Sequence, residues 1–454
     1  MRRHIFSSLL SWKNDPDRKP LLIRGARQVG KTFIIRELSR TFNHNIEINF
    51  DLQPELKSLF EKDLDVNRIC KDLTLLYQQQ IIPGKTLIFF DEIQEAPRAI
   101  AALRYFYEIM PDLHVIAAGS LLEFAIEEIG IPVGRVTSFY MYPLSFMEFL
   151  AAQNEGGLVR AIVEHNVNEP FPQAVHSKLI TMLGRYFVVG GMPEAVKSWV
   201  EKTDASKITA IHNSLIQSFR QDFTKYGKKH QIKYLDLIFN AIPPALGERF
   251  RYHTVPGGFR KRELSVAFDM LVKAGIADKI TQAGGRGIPI GADADPEHFK
   301  GLFLDLGLAQ NMLQVDIAEW VIDTAAAIIN RGAITEFFVG RELMAYSSPD
   351  RRAELYYWQK NGSEGSAEID FLMSRNGLVC PVEVKSSAAG HMKSMKRFLE
   401  SRPGCGKGIR FWGGPFEQGE WVDSFPLYAV ASVVPNASKL LENLFTPVRP
   451  TLQE

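Results

Sequence analysis

Residues 25–32 read Gly-Ala-Arg-Gln-Val-Gly-Lys-Thr, a match to G-x-x-x-x-G-K-[ST], and their flanks give the match a structural context. Upstream, Pro20-Leu-Leu-Ile-Arg24 is a short apolar, strand-like run, and downstream Phe33-Ile-Ile-Arg-Glu-Leu-Ser-Arg40 carries helical spacing. Strand, glycine loop and helix in that order are what phosphate binding requires. Gly25 and Gly30 let the backbone turn and approach an anion. The amides of Ala26, Arg27, Gln28 and Val29, with the helix N-terminus behind them, point at it. In that geometry Lys31 reaches the β- and γ-phosphates and the Thr32 hydroxyl holds Mg²⁺.

Working outward, Ile46-Glu-Ile-Asn-Phe50 alternates like a second strand, and Lys85-Thr-Leu-Ile-Phe-Phe-Asp-Glu92 contains a continuous apolar run. Such a run suits a parallel strand buried on both faces. Asp91 and Glu92 fall at its carboxyl end, where open α/β sheets bind ligands. There Asp91 would bind Mg²⁺ through water and Glu92 would polarise an attacking water. A third buried strand, His114-Val-Ile-Ala-Ala118, ends in Gly119-Ser120. Neither Asn-Lys-x-Asp nor Leu-Ser-Gly-Gly-Gln occurs in the chain. The first absence argues against a guanine-specific site and the second against a transporter-type ATPase, so ATP is the expected nucleotide.

The 454 residues allow two to four domains, and the 46% hydrophobic, 23% charged composition is that of a soluble globular protein. The net charge of +1 does not by itself imply a nucleic-acid partner. Cys70, Cys380 and Cys405 lie far apart and match no zinc or disulfide pattern, which fits a reducing compartment. Arg2 and Arg3 precede a brief apolar stretch, but Ile5, Phe6, Leu9 and Leu10 share a helical face and charged residues follow at once. That reads as an amphipathic helix leading into a core, not a signal peptide. No apolar run approaches the ~20 residues of a membrane span. The expected location is the cytoplasm, with no membrane partner.

Several short motifs together carry a resemblance. The phosphate loop, Asp91-Glu-Ile-Gln94, Gly134-Arg135, Tyr142-Pro-Leu144 and Gly190-Gly-Met-Pro193 resemble one family of prokaryotic AAA-type ATPases. Those proteins continue into a C-terminal domain of unknown function with a restriction-endonuclease-like core. The resemblance implies a sensor at Ser120, whose other reading is a cap for the helix that follows. It places Gly190 to Pro193 in a helical lid near the adenine base, Pro193 included, where a plain helix–helix turn is the competing reading. Arg135 is the best-placed arginine for γ-phosphate charge, acting in its own subunit or from a neighbour, so self-association stays open. A surface arginine is the alternative.

Residues 220–263 hold ten Lys/Arg against four Asp/Glu, a local net of +6. Helical patterns, then a strand, a glycine-rich turn at Ala283-Gly-Gly-Arg-Gly287 and a returning strand at Lys300-Gly-Leu-Phe-Leu304 resemble a winged helix. The basic stretch suits nucleic acid, DNA before RNA, or else docks on an acidic face of another domain. Asp305-Leu-Gly-Leu308 reads as a helix cap.

Toward the C-terminus the pattern is a helix from Ala333 to Tyr346, strands at Leu355–Gln359, Ile369–Met373 and Val379–Lys385, a helix from His391 to Ser401 and a strand from Gly408 to Trp412. This order matches the restriction-endonuclease-like core. In Val382-Glu-Val-Lys385, alternation puts Glu383 and Lys385 on one face, and Asp370 on the neighbouring strand can reach the same point. Asp370 and Glu383 would hold Mg²⁺ or Mn²⁺, with Lys385 on the nucleophile or the developing charge. Glu336 matches the helix-borne acid that completes such a site. A charge cluster on an inactive scaffold is the other reading.

The expected architecture is therefore α/β: a P-loop AAA-type core (1–145), a helical lid (146–218), a basic winged helix (219–313), a restriction-endonuclease-like α/β domain (314–435) and a tail (436–454). The expected function is an ATPase that couples nucleotide state to nucleic-acid binding and metal-dependent phosphodiester cleavage. The alternative is an ATP-driven switch whose terminal domain binds DNA or protein without cutting.

Overall fold

The computed structural model describes residues 1–130, 134–315, 331–360, 366–385 and 392–445. Two sheets organise them. The first contains β1 (Leu21–Arg24), β2 (His44–Asn49), β3 (Thr86–Asp91), β4 (His114–Ala118) and β5 (Thr137–Tyr140) in the order β2-β3-β4-β1-β5. All its pairings are parallel. β1, β3 and β4 are buried along their whole length, as their uninterrupted apolar runs demand. Because β1 lies between β4 and β5, the loop after Arg24 emerges centrally, beside the ends of β3 and β4.

The N-terminal helix Ile5–Asn14 buries Ile5, Leu9 and Trp12 against this core. β5 is a four-residue strand that ends at Tyr140. After Tyr140 the chain leaves the sheet, and Leu144 N–H donates to Gly191 O at 2.7 Å. The Tyr-Pro-Leu segment thus pairs with the Gly190–Gly191 turn instead of extending the sheet.

Helices Phe146–Ala152, Gly156–Val163, Gln173–Val189, Pro193–Lys202 and Ala205–Tyr226 follow. Helices Ile232–Ala241 and Lys261–Lys273 then lead into the hairpin of β6 (Ala277–Ala283) and β7 (Ala294–Phe303). The second sheet is continuous through that hairpin. β8 (Leu355–Lys360), β9 (Ala367–Arg375), β10 (Leu378–Lys385), β11 (Gly408–Trp412), β12 (Glu417–Gln418) and β13 (Val422–Pro426) extend it in the order β12-β13-β11-β10-β9-β8-β6-β7. The sheet therefore crosses the division expected near residue 313.

Helix Gly332–Ala345, three antiparallel strands, helix Lys393–Ser401 and the parallel strand β11 reproduce the element order read from the sequence. His391, expected to begin a helix, lies outside the described residues. No helix among the described residues is long and apolar enough to cross a membrane.

The long helix Gly332–Ala345 also packs against the nucleotide core. Glu342 Oε1 accepts from Phe146 N at 2.9 Å, and Tyr140 N donates to Pro349 O at 2.8 Å. Arg341 and Arg352 both reach Asp278 at the base of the β6–β7 hairpin, at 2.8 and 2.9 Å. A buried aspartate with two guanidinium partners fixes three parts of the chain against one another.

Candidate nucleotide site

The phosphate loop is held in its strained form by its neighbours. Gly25 has φ +143°, and a Cβ there would lie 2.2 Å from Met141 O, so only glycine fits. Gly30, at φ +96°, caps helix Lys31–Ser39 in the left-handed region. Arg3 ties the loop to the core: Nη1 donates to Val29 O at 2.7 Å and Nε to the buried carboxylate of Glu148 at 3.0 Å. From the other side Arg27 pairs with Asp222 at 2.5 Å, and Gln28 Nε2 donates to Ser218 Oγ at 3.2 Å. Both partners belong to helix Ala205–Tyr226, which leads into the basic segment.

Lys31 is buried and folds back on its own loop, its Nζ donating to Gly25 O at 2.9 Å and to Ala26 O at 2.7 Å. Burial lowers its pKa to about 8, against the pull of Glu92 and Asp91. Thr32 Oγ1 lies 3.1 and 3.2 Å from the two oxygens of Asp91, whose carboxylate also accepts from Asn49 Nδ2 at 3.1 Å. Burial, and then the charge of Glu92, raise the Asp91 pKa. A buried carboxylate short of positive charge beside a helix-borne hydroxyl is a donor set that suits Mg²⁺. Thr32 and Asp91 would hold the ion, which when bound supplies charge neutralisation to the phosphates. Glu92 sits in the left-handed region at φ +50°, and Gln94 Nε2 fixes its carboxylate at 2.6 Å.

Ser120 shares an open cleft with Gly25, Ala26, Tyr142, Lys273 and Arg352. It is not the cap of the next helix, because Leu121 takes that position and no side chain caps it. Pro193 begins helix Pro193–Lys202 and lies against the loop, its Cγ 3.6 Å from where a Gly30 Cβ would stand. Asp305 caps helix Leu306–Met312 through Leu308 N at 3.0 Å, as expected. It also accepts from Gly191 N at 2.6 Å, so it clamps the Gly190–Pro193 turn.

Arg135 requires a correction. It precedes β5, where Thr137 pairs with Leu21 at the start of β1, while the phosphate loop follows Arg24 at the other end. A four-residue strand, ~13 Å long, separates the two, and Arg135 pairs with Glu108 at 2.9 Å. It does not reach the phosphate site of its own chain.

The second candidate site also differs from expectation. Asp370 Oδ2 accepts from Val384 N at 2.7 Å, and Lys385 pairs with Glu383 on its own strand. Glu336 is not joined to these carboxylates through a shared point. Lys300 of β7 inserts its ammonium instead, contacting Glu336 Oε1 at 2.8 Å and also pairing with Glu368. Burial and Asp370 raise the Glu336 pKa to about 8 despite Lys300, and burial raises those of Asp370 and Glu383. Among the described residues, no three His, Cys, Asp or Glu are disposed to hold a metal ion. The expected metal set of Glu336, Asp370 and Glu383 is thus not assembled here, because a lysine stands among the carboxylates.

Sequence reasoning missed Arg3, Asn49, Asp222 and Lys300. Asn49, at the end of β2 beside Asp91, had a local signal in its strand-end position. The other three had none, since each acts on residues distant in the chain.

Residues 17–150 match the family model described as an AAA domain, residues 180–319 a domain of unknown function (DUF8612), and residues 331–428 another (DUF4143). No curated protein matches the chain. Among solved structures it is similar to a Walker-type ATPase of Pyrococcus abyssi, at 17% identity over 68% of this chain and 94% of that one, with a TM-score of 0.44. It is also similar to a signal-transduction ATPase with a tetratricopeptide repeat sensor from Pyrococcus horikoshii, at 12% identity over 77% and 48% of the two chains and a TM-score of 0.25. The matched segment, the parallel sheet and the loop geometry define a P-loop ATPase domain of the AAA type. The protein carrying it binds and hydrolyses ATP through that domain.

Proposed function

We propose that this ATPase is a switch in which the nucleotide state of the phosphate loop is passed to a basic, nucleic-acid-binding unit. The observation that carries the reading is the grip of helix Ala205–Tyr226 on the loop through Arg27–Asp222 and Gln28–Ser218. ATP must draw Lys31 off the carbonyls of Gly25 and Ala26, and any accompanying shift of the loop loads those two contacts. The helix ends at Tyr226, next to Lys228 and Lys229. Lys31 binds phosphate oxygens, Glu92 orients the attacking water, and Thr32 with Asp91 positions the ion. Ser120 faces the same cleft as a sensor, and Arg135 contributes charge only from a neighbouring copy.

Part of the basic stretch neutralises itself: Arg220 pairs with Asp236, Lys225 with Asp222 and Lys261 with Glu297. Lys228, Lys229, Lys233, Arg251, Arg260 and Arg262 stay exposed. We read this unit as a winged helix on duplex DNA, with Lys261–Lys273 as the groove-facing helix. The terminal domain, restriction-endonuclease-like in its order of elements, serves as a non-cleaving binding module while Lys300 occupies its carboxylates.

DNA binding measured with and without a non-hydrolysable ATP analogue tests the reading. About five neutralised phosphates give a log–log salt slope of roughly −4 to −5. Neutralising Lys228, Lys229 and Lys233 together should flatten that slope by about 3 at any DNA sequence. An affinity indifferent to salt, to these lysines and to nucleotide would sink the proposal.

A further inference from the structure

Residues 349–353, which follow helix Gly332–Ala345, are stapled to the start of the phosphate loop. Met141 N donates to Arg24 O at 2.9 Å, and a Cβ on Gly25 would lie 2.2 Å from Met141 O. The residues on either side of Met141 hold the later segment. Tyr140 N donates to Pro349 O at 2.8 Å, and Ala353 N donates to the Tyr142 hydroxyl at 3.0 Å. Arg352 is thereby delivered to the cleft that it shares with Gly25, Ala26 and Ser120. The turn between helix Lys261–Lys273 and β6 closes on the same residues, for a Cβ on Gly275 would stand 3.0 Å from Ala26 N.

This cleft lies on the side of the loop that serves the outer phosphates. Lys31, the residue for the β- and γ-phosphates, rests on the carbonyls of Gly25 and Ala26, and both of those residues line the cleft. Two of the cleft's cations are already matched one to one: Arg24 pairs with Glu123 at 3.3 Å and Lys273 with Glu127 at 2.6 Å. Asp278 differs, because two guanidiniums share its single charge, Arg341 at 2.8 Å and Arg352 at 2.9 Å. Arg341 is buried, whereas the Arg352 side chain is 33% exposed. Arg352 can therefore turn to an anion while Asp278 keeps a buried partner, without the penalty of a stranded carboxylate.

We infer that Arg352 binds the terminal phosphate of ATP within its own chain, exchanging Asp278 for that phosphate. Its guanidinium presents a planar fork of donors that suits phosphate oxygens. The same exchange frees Val272 O, which Arg352 Nη2 holds at 2.7 Å near the end of helix Lys261–Lys273. ADP lacks the phosphate and leaves Arg352 on Asp278 and Val272. The terminal phosphate thus decides whether that helix of the basic unit is tied to the terminal domain. The inference deepens the switch reading but rests only on its nucleotide site. Affinities are measured without DNA, so its failure leaves the DNA contact standing, whereas a wild type that binds no ADP would strike the nucleotide site itself.

The test uses the full chain with Mg²⁺, titrated calorimetrically with ADP and with a non-hydrolysable ATP analogue. Wild type should prefer the analogue. Arg352→Met keeps an unbranched apolar stem and removes the charge. It should weaken analogue binding about tenfold or more, the worth of one charge-assisted hydrogen bond, and leave ADP affinity within about twofold. A residue that only braced the fold would shift both affinities alike. Arg352→Lys keeps a cation for Asp278 but only as a point donor, so its preference for the analogue should fall between those of wild type and Arg352→Met, about threefold or more below wild type. It carries the test alone if Arg352→Met does not fold. Equal losses for both nucleotides, an unchanged preference in whichever variant folds, or a wild type with no preference would overturn the inference.

Discussion

ATP binding should weaken as pH rises above 8, through one proton on Lys31. In the nucleotide-free chain this lysine is buried, bonded to the carbonyls of Gly25 and Ala26, and burial lowers its pKa to about 8. The phosphates of ATP favour the charged form, so binding raises that pKa and takes up a proton wherever the free chain has lost it. Linkage then fixes the sign: affinity is level below pH 8 and falls above it. At pH 9 only about one free chain in eleven carries the proton, so binding weakens about tenfold, or about 1.4 kcal/mol. Calorimetric titration with ATP from pH 7 to 9.5, in two buffers of different ionisation enthalpy, measures both the affinity and the proton count. Lys31→Arg, charged throughout the range, should bind ATP less well but with a level profile. A wild-type affinity unchanged to pH 9.5, with no proton uptake, would refute the reasoning.

Glu92→Gln should keep ATP bound while single-turnover hydrolysis falls by about 10²–10⁴-fold, because the amide cannot accept the water's proton; near-normal turnover would remove Glu92 from that role. Glu148→Gln should cost about 3–5 kcal/mol in urea unfolding, since it strands the buried Arg3 guanidinium that also holds Val29 O. Burial would raise the Glu148 pKa, but Arg3 and His4 outweigh it and hold the group at about 2. Its contribution is therefore complete above the ordinary value of 4.5 and disappears as pH falls from there toward 2. Wild type should lose more stability than Glu148→Gln across that window, and parallel pH profiles would show that Glu148 does not act as a paired anion.

The nucleotide site was legible in the chain because its geometry is local. Gly25 through Thr32 are contiguous, and their positions follow from one strand, one turn and one helix start. Asp91 and Glu92 were equally readable, because a buried parallel strand ends where its apolar run ends. The terminal domain's element order could be read for the same reason, as alternation in Val382-Glu-Val-Lys385 is a short-range signal. Arg135 shows the limit. Its glycine turn was visible, but which end of the sheet it occupies depends on β5 pairing in register with β1.

Lys300 marks the other boundary. In sequence it is one more basic residue opening a strand, with nothing to set it apart from Lys279. Only the continuous sheet, which carries the β6–β7 hairpin against β8, brings it across Tyr357 to Glu336 and Glu368. The sequence alone determined which chemical groups the chain possesses and the loop that binds phosphate. Tertiary structure decided which charges share a low-dielectric site, because a buried ion answers to whatever packing brings within a few ångströms, however distant in the chain.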